Sequence, residues 1–326
     1  MSSRILVIKF AALGDVVQAI GPMRRIRAAH PEAEITLLTT PPYSPLVETL
    51  GVFDRIWTDG RPKRLRDTLA MVARLRRARF DRVYDLQTSS RSSFLHKALW
   101  PRIPEWSGIA LGASHPDRNP DRTRVHTLER QASQLKDAGI WPDAPTAPGT
   151  APAPDLSFLV NDPRPERSPA YFGLSEPYAL LVPGASARRP GKRWPAARYG
   201  ELAARLQGQG LQVAVIGGAL EREAAAVIAA AAHGAVDLTT KTDFAQIAAL
   251  GVRAALAVGN DTGPSHLIAA AGAPMLVLFS SESQPELCAP RGARTAILQV
   301  ARLADLETDR VSEALYEYGL LPGAKS

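Results

Sequence analysis

The chain has 326 residues, 45% of them hydrophobic and 22% charged, with a formal net charge of +7 and one cysteine. That length buries a substantial core without staples and accommodates one large or two medium domains, while the lone Cys288 excludes an intrachain disulfide and fits a reducing compartment. No run approaches the roughly 20 apolar residues of a membrane-spanning helix, and Lys9 and Asp15 interrupt the apolar N-terminus too early for a signal peptide, so the expected location is cytoplasmic.

The first predicted strand is Arg4–Phe10, with the apolar run Ile5-Leu6-Val7-Ile8. It stops at the small-residue turn Ala11-Ala12-Leu13-Gly14, presents Asp15, and passes into a helical pattern to His30 with Val16, Ile20, Met23 and Ile26 at helical spacing. Further strands are expected at Glu34–Thr40, Arg55–Thr58 and Arg82–Gln87, and helices at Tyr43–Leu50, Leu65–Arg79 and His126–Ala138. From Arg55 to Arg102 thirteen basic residues face four acidic ones, a net +9 that exceeds the whole-chain value. A basic region confined to one half fits an anionic partner such as a membrane surface or an acidic substrate, although a solvated helix face carries such charge too. Nothing here resembles a nucleic-acid motif with interleaved aromatics, so no nucleic-acid partner is expected.

Between Trp141 and Pro177 prolines crowd the chain, and "APTAPGTAPAP" sustains neither helix nor central strand. This segment reads as an interdomain connection, with the boundary set at 160/161. The alternation then restarts with strands at Tyr178–Val182, Gln212–Ile216, Val236–Thr239, Ala255–Val258 and Met275–Phe279. Helices are expected at Ala196–Gln209, Leu220–Ala232, Asp243–Leu250 and His266–Ala271, and a last one at Asp305–Tyr318 that is expected to pack back on the first domain. Alternation of this kind implies parallel sheets covered by helices. The fold class is therefore α/β, two doubly wound, Rossmann-like domains (1–160 and 161–326) facing a cleft, with ligands at the carboxyl ends of the strands.

Four stretches are candidates for chemistry. At the first turn there is neither a G-x-G-x-x-G nor a Walker A sequence; Asp15 reads either as a helix cap or as a functional carboxylate. In "VGNDTGPSHLIAAAGAP", from Val258 to Pro274, a strand ends at Asn260-Asp261 and a helix begins near Pro264 or Ser265. Free N–H groups and hydroxyls of Thr262 and Ser265 there suit phosphate, with His266 in the first turn. In "LLVPGASARRPGKRWP", a strand opens into a loop carrying Arg188, Arg189, Lys192 and Arg193, cations placed to neutralise phosphate. In "VIGGALERE", Gly217 and Gly218 permit close approach of a ligand, and Glu221 or Glu223 is suited to a ribose hydroxyl pair.

Together "LGDVV" at 13–17, "PGAS" with "KRWP" at 183–195, "GG" plus acid at 217–223 and "NDTGPSHLIAAAGAP" at 260–274 resemble glycosyltransferase family 9, the heptosyltransferases of lipopolysaccharide assembly. The resemblance implies the two-domain GT-B fold and an inverting transfer of heptose from ADP-heptose to a lipopolysaccharide-type acceptor. No metal or other cofactor is then expected, the ADP-sugar being a substrate. Carried over residue by residue, it makes Asp15 the catalytic base and Lys192 the cation that neutralises the departing diphosphate. Thr262 and Gly263 fall to the donor phosphates, Asp261 to the donor sugar, His266 beside the diphosphate and Glu221 or Glu223 to the ribose, with Gly14, Ser186 and Gly217 also among the donor-binding residues. Arg61, Lys63 and Arg64 are candidates for an anionic, lipid-linked acceptor, and a peripheral contact with the cytoplasmic face of the inner membrane is expected. Phe10-Ala11-Ala12 stands where the family often has Ser or Thr; hydroxyl donors are lost there while the backbone N–H groups remain, so an altered donor or acceptor preference is expected rather than loss of activity. The alternatives from other classes are a nucleotide-sugar epimerase of the same architecture, a transferase of another activated sugar, and a binding protein without turnover, the last disfavoured by Asp15, Lys192 and Asp261 occurring together.

Overall fold

Strand β1 (Arg4–Ile8) is central to the first of two sheets, because Ile5 and Val7 point to one face and Leu6 and Ile8 to the other, and all four are buried. The computed structural model describes residues 2–321. It divides into two units, Met1–Ala153 and Pro154–Ser326. In the first, β1 is joined by β2 (Glu34–Leu38), β3 (Arg55–Trp57), β4 (Arg82–Asp85), β5 (Glu105–Gly108) and β6 (His115–Pro116) in the order β3-β2-β1-β4-β5-β6. In the second, β7 (Tyr178–Val182), β8 (Gln212–Val215), β9 (Val236–Asp237), β10 (Leu256–Asn260), β11 (Met275–Phe279) and β12 (Thr295–Gln299) run β12-β11-β10-β7-β8-β9. Every pairing among the described residues is parallel. The two orders are the same pattern, so each sheet has one point where the strand order reverses: between β1 and β4, and between β7 and β10. In open parallel sheets that is where ligands bind.

Both faces of the first sheet are covered, as the alternation requires. Ile5, Val7, Ile35 and Leu37 pack with Val16, Met23 and Ile26. Leu6, Ile8, Leu38 and Val83 pack with Met71, Val72 and Leu75. In the second unit Leu181, Val213 and Val215 meet Leu202 and Leu206 of the helix Ala196–Gly208.

Three expectations are corrected. The boundary lies at 153/154 rather than 160/161, because the short turns Ser157–Asn161 and Pro165–Arg167 are tied into the second unit: Leu156 N–H donates to Ala270 O at 2.8 Å and Gln246 Nε2 to Glu166 O at 3.0 Å. The last helix, Thr308–Glu317, belongs to the second unit's core, where Val311, Ala314 and Leu315 join Leu202 and Leu206. The single helix expected from Asp15 to His30 is two, Leu13–Gln18 and Ile20–Ala29, meeting at Ala19.

Candidate active site

In the first unit the switch point is built from the ends of β1 and β4. Asp15 is the third residue of its helix rather than the residue before it: Ala12 is the cap, and the Asp15 carboxylate reaches back to accept the Ala12 N–H at 2.9 Å. The cap reading and the functional reading therefore describe the same carboxylate, held by the helix start and partly exposed. Lys9, just past β1, is 4% exposed and donates from Nζ to Leu86 O at 2.9 Å. Burial pushes its pKa below the ordinary lysine value, with Asp15 and Asp85 acting the other way.

Asp85 ends β4 opposite Ile8 in the β1 register. Its Oδ1 accepts the N–H groups of Gln87 and Thr88 at 3.1 and 2.9 Å, while Oδ2 is buried without a hydrogen-bond partner. Burial raises its pKa to about 6, against the pull of those N–H groups, of the nearby Ser92 hydroxyl and of Lys9. A cavity of about 190 Å³ lies beside these groups, lined by Lys9, Asp15, Gln87, Arg122, Arg130 and Gln131 among others. Arg122 is anchored on Asp117 at 2.7 Å, and burial lowers the pKa of Arg130.

The Phe10-Ala11-Ala12 turn is held from within the first unit. Its backbone N–H groups are already engaged: Phe10 and Ala11 donate to Gln87 Oε1 at 2.7 and 3.2 Å, and Ala12 to Asp15. The Phe10 ring is buried in the sheet core against Gly60, where an added Cβ would lie 2.6 Å from the ring. Gly14 is the second residue of the Asp15 helix. Of the acceptor candidates, Arg61 acts on Tyr43, whose pKa is raised chiefly by burial, with Arg61 opposing that rise and Asp15 adding to it. Lys63 and Arg64 are exposed just before the helix Leu65–Ala78 and do not line the Asp15 cavity.

In the second unit the ends of β7 and β10 are tied together by Asn260. Its Nδ2 donates to Pro183 O and Gly184 O at 2.8 and 3.3 Å, and its Oδ1 accepts from Trp194 N–H and Tyr199 OH at 3.2 and 3.0 Å. This holds both ends of the 183–194 loop against the strand that delivers Asp261. Lys192 Nζ then meets Asp261 Oδ2 at 2.5 Å, and Ser283 Oγ donates to the same oxygen at 2.7 Å. Thr262 precedes the helix Gly263–Ala270 without bonding it through its side chain, and His266 is buried in the first turn. The helix starts at Gly263, earlier than expected. Ser186 is exposed on the loop, its Oγ accepting the Arg188 N–H at 3.4 Å.

The two acids after β8 differ. Glu221 accepts the Gly218 N–H at 2.8 Å, lies 3.6 Å from Arg193, and packs on Gly184 and Gly217; a Cβ added at Gly217 would sit 2.5 Å from its own Cβ. Glu223 is exposed on the following helix. Both line a cavity of about 250 Å³ with Pro183, Arg193 and Trp194.

Sequence reasoning named Asp15, Lys192 and Asp261 but missed Asp85, Gln87, Arg122, Arg130 and Ser283, and noted Lys9 only as a break in an apolar run. The available signal was a charge at the end of an apolar strand, shared by Lys9 and Asp85. Arg122, Arg130 and Ser283 arrive through the tertiary fold.

The glycosyltransferase family 9 (heptosyltransferase) model matches residues 68–315. Lipopolysaccharide heptosyltransferase 2 of Salmonella typhimurium strain LT2 is 26% identical over 316 residues, covering 91% of this chain and 88% of the relative. The enzyme of the same name from Escherichia coli strain K12 is 27% identical over 314 residues with the same coverage. The solved structure of E. coli ADP-heptose lps heptosyltransferase II superposes with a TM-score of 0.80 at 26% identity, over 97% of this chain and 98% of that one. With the family model covering most of the chain, including the motif-bearing stretches of the second unit, this protein belongs to glycosyltransferase family 9, the heptosyltransferases.

Proposed function

We propose that this glycosyltransferase moves a heptosyl group from ADP-heptose to an anionic, lipid-linked saccharide of the lipopolysaccharide core, with inversion and without a metal ion. The observation that carries the reading is the Lys192–Asp261 pair, set where the second sheet reverses its strand order and beside the start of the helix Gly263–Ala270. A mobile-anion site built from a lysine, three nearby arginines and a helix N-terminus suits a diphosphate. The lipopolysaccharide acceptor and the ADP-heptose donor come from the names of the relatives.

In the proposed step an acceptor hydroxyl oxygen bonds to the anomeric carbon as the bond from that carbon to the diphosphate oxygen breaks. ADP leaves with the electron pair, and the hydroxyl proton passes to Asp15. A carboxylate is a feeble base toward an alcohol, so proton transfer comes late and leaving-group stabilisation carries most of the rate enhancement. Lys192, with Arg188, Arg189 and Arg193, would balance the charge that a divalent cation balances in other transferases. Thr262, Gly263 and His266 would flank the diphosphate, Asp261 the sugar, and Glu221 the ribose. Around Asp15, the cationic wall of Lys9, Arg122 and Arg130 suits an acceptor sugar bearing carboxylate or phosphate.

Calorimetric titration with ADP and with UDP, both in EDTA, tests the donor. Selective ADP binding, followed by ADP release from ADP-heptose only when acceptor is added, is the expected result. Preference for UDP, or donor conversion without acceptor, would replace this reading with another sugar transfer or with an epimerase.

A further inference from the structure

The helix Leu65–Ala78 buries Met71, Val72 and Leu75 in the first unit's core, yet leaves Leu65 and Leu69 75% and 61% exposed. Beyond its C-terminal end, the chain entering β4 and β5 bounds a depression of about 920 Å³. Its floor is apolar, with Val72, Leu75, Phe80 and Leu99. Its rim carries Arg76, Arg77, Arg79 and Arg102, and Asp81 is the only acid among the residues lining it. The Asp81 carboxylate is already bonded to the Arg4 N–H at 2.7 Å. Arg76 donates to Ala98 O and Trp100 O at 2.9 and 3.3 Å, fixing a corner from which Trp100 stands 69% exposed. Among the described residues, Arg77, Arg79 and Arg102 have no carboxylate partner.

A solvated helix face explains the arginines but not the large apolar side chains beside them. Surplus positive charge, an exposed tryptophan and exposed leucines on one face are what a bilayer interface selects: apolar side chains enter the headgroup boundary while guanidinium groups hold phosphates. We propose that this face docks on a bilayer containing acidic phospholipids. The depression lies at the amino ends of β4 and β5, whereas Lys9 and Asp15 lie past the carboxyl end of β1, so the proposal does not rest on the catalytic assignments. Each arginine near an acidic surface is worth about fivefold in partitioning, so three together are worth about a hundredfold.

The test is sedimentation of the full chain with phosphatidylcholine vesicles, with and without phosphatidylglycerol, at low and high salt. Binding is expected only with phosphatidylglycerol and is expected to weaken with salt. Arg77→Glu/Arg79→Glu/Arg102→Glu should lower partitioning at least about a hundredfold, and Leu69→Ser/Trp100→Ser should lower it while leaving the salt dependence unchanged. The charge-matched control Arg222→Glu/Arg294→Glu/Arg302→Glu, at exposed positions of the second unit, should bind nearly as the wild type. Unchanged melting temperatures establish that each variant is folded. Absence of binding to the acidic vesicles would overturn the proposal, as would equal loss in the control. A wild-type dimer dissolved by the first variant, with no vesicle binding, would identify the face as a self-association surface instead.

Discussion

Lys192 Nζ and Asp261 Oδ2 lie 2.5 Å apart, with side chains only 12% and 7% exposed, so the loop cation and the strand-end carboxylate form one buried pair. Under the proposed function, an incoming diphosphate competes with Asp261 for that lysine. Ser283, donating to the same oxygen at 2.7 Å, leaves the carboxylate with one partner when Lys192 turns away. Asp261→Asn should therefore tighten ADP binding about tenfold, near 1.4 kcal/mol, while slowing sugar transfer. Lys192→Ala should weaken ADP and also lower stability, because it strands a buried carboxylate. Titration calorimetry and thermal melts read both; ADP affinity unchanged in either variant would remove the pair from the phosphate site.

Asp15→Asn isolates proton transfer from architecture. The amide oxygen can still accept the Ala12 N–H, so the helix start survives. Loss of the proposed base should cost about a hundredfold to ten-thousandfold in turnover, with ADP affinity and melting temperature nearly unchanged. Full turnover in this variant would show that another group takes the proton.

Asp85 makes stability depend on pH in an unusual direction for a carboxylate. Its folded pKa, about 6, lies above its unfolded value. The folded state then holds a proton that the unfolded state releases, so the group's contribution is complete below about pH 4 and is lost as pH rises to about 6. The loss is at most about 3 kcal/mol. Asp85→Asn should flatten this part of the profile, measured as the unfolding free energy at pH 4.5 and pH 7. An identical pH slope in wild type and variant would place the titration elsewhere.

Much of the second unit was legible because its strands are apolar on both faces: Tyr178–Val182 and Met275–Phe279 run as read. The first unit hid its later elements. Ser90–Ala98 is a helix with a polar sequence and little periodicity, started by Ser89 accepting the Ser92 N–H, and β5 is only four residues long with buried Trp106 and Ser107. Thr295–Gln299 is an edge strand, half apolar, and gave no alternation to detect. At the site, Asp15 and Lys192 stand in recognisable local motifs. Arg122 and Arg130 come from beyond β6 and line the Asp15 cavity only because the chain returns to the carboxyl ends of the central strands β1 and β4. Such distant contacts leave no local trace.

Glu221 and Glu223 were indistinguishable by spacing, but their surroundings separate them. Glu221 touches Gly184 and Gly217 and accepts the Gly218 N–H, whereas Glu223 points from an exposed helical position. Glu221→Ala should weaken ADP about tenfold or more, the scale of a charge-assisted hydrogen bond, and Glu223→Ala less than about twofold. The reverse ranking would move the ribose to the outer part of the cavity.

Asn260 precedes the pair and does a different job. Its amide satisfies two carbonyls of the 183–184 turn, and its oxygen satisfies the Trp194 N–H and the Tyr199 hydroxyl, all of them buried. Removing it leaves several polar groups without partners, each costing about 1–3 kcal/mol, so Asn260→Ala should destabilise the protein by at least about 3 kcal/mol. Asn260→Asp keeps the acceptor but loses both donors to Pro183 and Gly184, so it frees one end of the loop. If the loop's geometry is what brings Lys192 to Asp261, the aspartate variant should lose ADP affinity while remaining folded at low temperature. Retained affinity in that variant would mean that Lys192 reaches the phosphates without help from the turn, and Asn260 would then serve stability alone.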